Sequence, residues 1–124
     1  MTEGWHLSGD TSQLTGEQAA DLIRQRVRDG SLETWLEHQN GTVLAVVSNK
    51  VRAMVMLLDE PGDPGAHAVD PDAVGHQDGY LLDNGQNDTY DNRDTVVLDL
   101  ALHAVRYIVE HGSPPADIAW HCDR

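Results

Sequence analysis

Asn40-Gly41 separates two extended runs, and this dipeptide limits the fold more than any other feature of the chain. Asn and Gly readily take the positive φ that a two-residue hairpin turn needs, and such a turn joins strands that lie antiparallel. Before it, Leu32, Thr34, Leu36 and His38 alternate with Glu33, Trp35 and Glu37, the period of a half-buried strand. After it, Thr42 to Ser48 is rich in β-branched residues. Ser48-Asn49-Lys50 reads as a second tight turn. Val51 to Leu58 is then apolar on both faces except at Arg52, as in a central strand. A second Asn-Gly pair, Asn84-Gly85, joins Gly79–Leu82 to Gln86–Tyr90 as another hairpin.

Two stretches carry helical spacing instead. Thr15-Gly16-Glu17-Gln18 has the form of a capping box, followed by Ala19, Leu22, Ile23 and Val27, with Gly30 placed to end the helix. Leu98, Ala101, Leu102, Val105, Ile108 and Val109 form a broader stripe that Gly112 and Pro114-Pro115 stop. Residues 1–14 read as an irregular lead-in. Residues 59–77, with Pro61, Pro64 and Pro71 among glycines, read as a long acidic loop. Ile118-Ala119-Trp120 reads as a short closing strand. The expectation is one α+β domain over residues 1–124, an antiparallel sheet of about five or six strands with two helices, near 15–29 and 96–111, on one face.

Charge is distributed unevenly. From Asp59 to Asp99 there are eleven acids against one base, Arg93, a net of −10 within a whole-chain −13. Such a field repels nucleic acid and anionic membranes and attracts a basic partner. The candidate partner surface is Asp59, Glu60, Asp63, Asp70 and Asp72 on the loop, with Asp83 and Asp88 at the hairpin; Trp35 and Tyr90 are candidate aromatic anchors. The plainer readings are a solubilising face for the acids and a half-buried aromatic covering the sheet for Trp35. Met54, Met56 and Leu58 read as core or subunit interface. No apolar run is long enough to span a membrane, and the first residues have neither the basic nor the apolar region of a signal peptide. With Cys122 as the one cysteine, the expected setting is a reducing cytoplasm.

The remaining polar residues carry no complete catalytic or metal signature. The seven histidines include no pair at HxxxH spacing. His67 and His76, flanking Asp70 and Asp72, form the best available metal cluster. A calcium loop begun at Asp70 places Asp72 and Gly75 correctly but puts Val74 and Leu81 where oxygen ligands belong. There is no GxSxG, and no Gly-rich phosphate loop precedes a helix. The reading is that the chain is not an enzyme and needs no metal or organic cofactor.

Arg52 to Leu58, Gly79-Tyr80 with Asn84-Gly85-Gln86, the helix closing in Gly112-Ser113-Pro114-Pro115, and Ile118-Ala119-Trp120 together resemble the immunity proteins of bacterial polymorphic toxin systems. The nearest is the first-numbered family of that series, especially its actinobacterial members, over roughly residues 15–122. The resemblance implies a non-enzymatic protein that binds and neutralises a cognate toxin, several such toxins being nucleases or nucleic-acid deaminases. Its motifs are structural, so no binding residue carries over from it. The competing readings are a small-ligand or enzymatic domain using a pocket under loop 59–77, and a structural homodimer.

One expectation follows from the missing ligand spacings. Elemental analysis of protein purified without an affinity tag is expected to find no stoichiometric metal; one equivalent of zinc or calcium would overturn the reading.

Overall fold

A computed structural model describes residues 4–123. In chain order the elements are β1 (Trp5–Leu7), α1 (Gly16–Arg28), β2 (Glu33–His38), β3 (Val43–Ser48), β4 (Arg52–Leu58), β5 (Ala66–Val69), β6 (His76–Leu81), β7 (Asn87–Asp91), a 3₁₀ turn (Asn92–Asp94), β8 (Val96–Val97), α2 (Leu98–His111) and β9 (Ala119–Cys122). The main sheet is antiparallel throughout, in the order β1-β2-β3-β4-β5-β9, with β8 also pairing with β4. The α+β architecture expected from the sequence is present, and the sheet has seven strands.

Both Asn-Gly turns form, with Gly41 at φ 100° and Gly85 at φ 89°. The capping box closes as its sequence implies. The Thr15 hydroxyl accepts from the Gln18 amide at 3.1 Å, and the Gln18 side chain accepts from the Thr15 amide at 3.0 Å. Gly112 ends α2 in the left-handed conformation and donates to the Ile108 carbonyl at 2.7 Å.

Cross-strand partners share a face, so the register sorts the core. Leu36, Leu44, Val46, Ala53, Val55 and Ala68 pack beneath both helices, against Ile23 and Val27 of α1 and Ala101, Leu102, Val105 and Ile108 of α2. Both helices therefore lie on one face of the sheet. The opposite face is covered too. All six residues of β3 are buried, Val43, Ala45 and Val47 among them, although those three lie outside the helix-side core.

What covers them is the β6–β7 hairpin. It forms a separate two-stranded ribbon, not a continuation of the sheet. The register slips between Gln77 and Tyr80, and Tyr80 is fully buried. The Asn49 side chain donates to Gln77 at 2.8 Å, and the Asp83 amide donates to Glu33 at 2.9 Å, which lays the ribbon across the ends of β2 and β3.

Two expectations are corrected. Residues 59–77 are not one loop, because Ala66–Val69 pairs with both β4 and β9 as β5. The lead-in 1–14 is not wholly irregular, because Trp5–Leu7 pairs with β2 and Trp5 is buried.

The helices meet at Gly16, where a Cβ would stand 2.5 Å from the Arg106 carbonyl oxygen. Helix propensity favours alanine over glycine, but the obstacle here is backbone. Gly16→Ala is expected to destabilise by about 1–3 kcal/mol, and Thr15→Ala, which removes only the cap, by about 1 kcal/mol. Urea unfolding measures both; a stabilised Gly16→Ala would mean the helices part easily.

Candidate functional site

The acids that lie close in sequence separate in space. Asp59, Glu60 and Asp63 occupy the β4–β5 turn, beside Gly41 of the β2–β3 turn. Asp70 lies at the other end of β4, held by Arg52 at 2.9 Å, and Asp72 is exposed just beyond it. Arg52 to Leu58 is seven residues, so the two groups stand roughly 20 Å apart. The structure thus does not bring the candidate residues onto one surface.

Several of them are also engaged within the molecule. The Asp63 carboxylate accepts the Asp59 amide at 3.0 Å. Asp88 accepts from Gln86 at 2.6 Å and from the Tyr90 hydroxyl at 2.9 Å. Tyr90 is half-buried, its ring centroid 4.7 Å from that of Tyr80. Burial, then Asp88 and Glu33, hold the Tyr90 hydroxyl well above its ordinary pKa, so it stays protonated and keeps donating. Trp35 is half-buried and its Nε1 donates to Glu33 at 2.8 Å. Glu33 in turn accepts the Asp83 amide. Trp35, Asp83, Asp88 and Tyr90 therefore gather where the β6–β7 ribbon crosses β2.

The ribbon carries acids without a strong base of its own. From His76 to Asp91 there are four aspartates and no lysine or arginine. Asp78, Asp83 and Asp91 are exposed, as is Asp72 on the approach. Val74, 84% exposed, and Leu81, 40% exposed, lie in the same region. Acids and isolated apolar side chains thus occur together on the ribbon and its approach.

The proposed His67, His76, Asp70 and Asp72 cluster does not assemble. His76 is exposed on β6, Asp70 belongs to Arg52, and His67 lies between Asp94 and Asp123. Among the described residues no group of three or more His, Cys, Asp or Glu side chains could hold a metal ion. A concavity of about 340 Å³ runs between the β5–β6 turn and β9, lined by Val69, Pro71, Arg93, Asp94, Trp120 and His121. No described helix is long and apolar enough to cross a membrane.

Sequence reasoning missed the network that holds the ribbon down. Arg52 Nε donates to the Thr95 hydroxyl at 2.8 Å, and Nη2 reaches Asp70, the Asn92 carbonyl at 3.1 Å and the Thr95 carbonyl at 3.0 Å. Thr95 is buried, and Tyr80 lies over this network. Burial raises the Tyr80 pKa, with Thr95 and Arg52 opposing that rise. The signal available in the sequence was the one charge in an otherwise apolar strand.

Replacing Arg52 with Met is expected to cost about 2–3 kcal/mol, the worth of hydrogen bonds to a charged group. Arg52→Lys is expected to recover only part of it, since an ammonium lacks the fork that reaches several acceptors at once. Thermal unfolding checks this; a Met variant as stable as the parent would show the network to be dispensable.

No protein-family model, curated protein or solved structure matches the chain.

Proposed function

We propose that this chain is a non-enzymatic, immunity-type protein that neutralises a basic toxin by binding it, with the β6–β7 ribbon as the binding surface. The carrying observation is the ribbon itself, a two-stranded element laid over the main sheet, with four aspartates and no lysine or arginine. The resemblance over residues 15–122 supports the class of protein and points to a toxin that is a nuclease or a nucleic-acid deaminase, acting in the cytoplasm. A toxin that handles nucleic acid has a basic groove, and an acidic ribbon competes for it by charge complementarity. Leu81 and Val74, with the half-buried Trp35 and Tyr90, supply apolar contact, because rim charges mainly set the association rate. The acids of the β4–β5 turn, Asp59, Glu60 and Asp63, lie at the far end of the sheet and stand outside this surface.

Stopped-flow association with the product of the neighbouring toxin gene tests the proposal. Changing Asp72, Asp78, Asp83 and Asp91 together to Asn is expected to slow association about tenfold or more at low salt and to flatten its salt dependence. Changing Asp59 to Asn and Glu60 to Gln at the opposite end is expected to do little, because each exposed charge is worth about 0–1 kcal/mol. Equal rates for the parent and the fourfold variant at low salt would reduce the ribbon's charge to a solubilising role.

A further inference from the structure

His67 sits on β5 with both ring nitrogens against carboxylates. Nδ1 is 2.7 Å from Asp123 Oδ2, and Nε2 is 3.0 Å from Asp94 Oδ1. Its side chain is only 14% exposed. A neutral imidazole has one N–H and can donate to one of these oxygens, leaving the other nitrogen's lone pair facing a carboxylate. Only the imidazolium satisfies both contacts.

The two carboxylates come from different places. Asp94 belongs to the 3₁₀ turn that leads from β7 to β8. Asp123 follows β9, a four-residue strand at the edge of the sheet whose one strand neighbour is β5. The His67 ring thus lies between two segments that reach it from separate parts of the chain.

The other charged and titratable groups around it are few. His121 of β9 has its ring centroid 5.4 Å from that of His67, and its Nε2 is 3.7 Å from Asp123 Oδ1. Arg93 is exposed on the 3₁₀ turn, and Asp91 ends β7 just before it. From β4 the residue opposite His67 is Met56, which brings no charge; the ion pair further along is Arg52–Asp70. Burial by itself would lower the His67 pKa, but Asp123 and then Asp94 outweigh it, and the net shift is upward from 6.5.

We propose that His67 is a protonation-dependent latch, which as imidazolium fastens β9 and the 3₁₀ turn to β5 and as neutral imidazole lets one carboxylate go and loosens β9. A group whose folded pKa is raised contributes stability that is fully present below its unfolded value and is lost as pH rises through its folded value. The latch is therefore closed in mild acid and opens as pH climbs past the raised midpoint. Opening frees Trp120, which pairs with Ala68 across β5 and packs on the helix-side core. It also moves one wall of the concavity lined by Trp120 and His121.

Nuclear magnetic resonance reads the ring and the strand together. A titration of the His67 ring is expected to give a midpoint above 6.5, and Asp94→Asn and Asp123→Asn are each expected to lower it. Hydrogen-exchange protection factors, corrected for intrinsic exchange, are expected to fall about three- to tenfold in β9 across that midpoint while β3 stays unchanged. His121→Asn is expected to keep the transition, which assigns it to His67. A midpoint at or below 6.5, β9 protection that ignores the titration, or loss of the transition in His121→Asn would overturn the latch.

Discussion

One guanidinium holds the two halves of this fold together. Arg52 opens β4, yet its partners lie 18, 40 and 43 residues further on, at Asp70, Asn92 and Thr95. Taking a cation out of water is unfavourable unless its donors are met, and here a carboxylate, two carbonyls and a hydroxyl meet them. The gain is topological. A two-stranded ribbon is marginal on its own. With both of its connections fastened to β4, the β6–β7 hairpin stays over the sheet, where the ring of Tyr80 can be buried. Covering by that ribbon explains why all six residues of β3 are buried, and all but Ser48 apolar, when an open antiparallel strand would alternate.

The same folding redistributes the charge. A run of eleven acids in forty-one residues suggests one intense surface, but the chain reverses direction between β4 and β5 and again after Asp70. Acids just past Leu58 end up at one end of the sheet and those from Asp70 onward at the other. Their separation exceeds the screening length of about 8–10 Å at physiological salt, so the two groups act as separate fields. Asp70 is neutralised by Arg52, and Asp88 is occupied by Tyr90 and Gln86. What remains exposed is divided among Asp59 and Glu60 at the β4–β5 turn, Asp72, Asp78, Asp83 and Asp91 on the ribbon and its approach, and Asp94 and Asp99 beyond it. Linear charge density was therefore a poor guide to where the acids would lie in space.

The elements legible in the sequence were those with enough length for a period or with a turn that admits few residues. Both helices, the β2–β3–β4 meander, the β6–β7 hairpin and the capping box belong to this group. The elements missed were short. β8 has two residues and β1 has three, and neither displays a period. β5 is Ala-His-Ala-Val between proline-containing turns, and it becomes a strand because β4 and β9 flank it, not through its own propensity. The stacking of the ribbon on the sheet was illegible for a related reason. Asn84-Gly85 specifies that two strands pair, but nothing local says whether the pair extends the sheet or lies over it; that depends on Arg52 meeting residues distant in sequence. Of the candidate surface, Trp35, Asp83, Asp88 and Tyr90 do come together, while Asp59, Glu60 and Asp63 stand apart.

The segment from Asn92 to Thr95 shows how the two long-range contacts divide their work. Arg52 takes the carbonyls of Asn92 and Thr95, and between them the side chain of Asp94 goes to His67. The segment is thus gripped by two cations of different character. A guanidinium keeps its proton at any pH a protein survives, so the grip of Arg52 is permanent. An imidazolium between two carboxylates holds its proton only over part of the pH range, so the grip of His67 is conditional. The permanent contact lies on the side of the ribbon and Tyr80, where loosening would expose the far face of the sheet. The conditional one lies on the side of β9, a short edge strand whose movement leaves the β2–β3–β4 meander and its helices in place. A chain with so few cations has used one to fix its architecture and a titratable ring to fasten its edge.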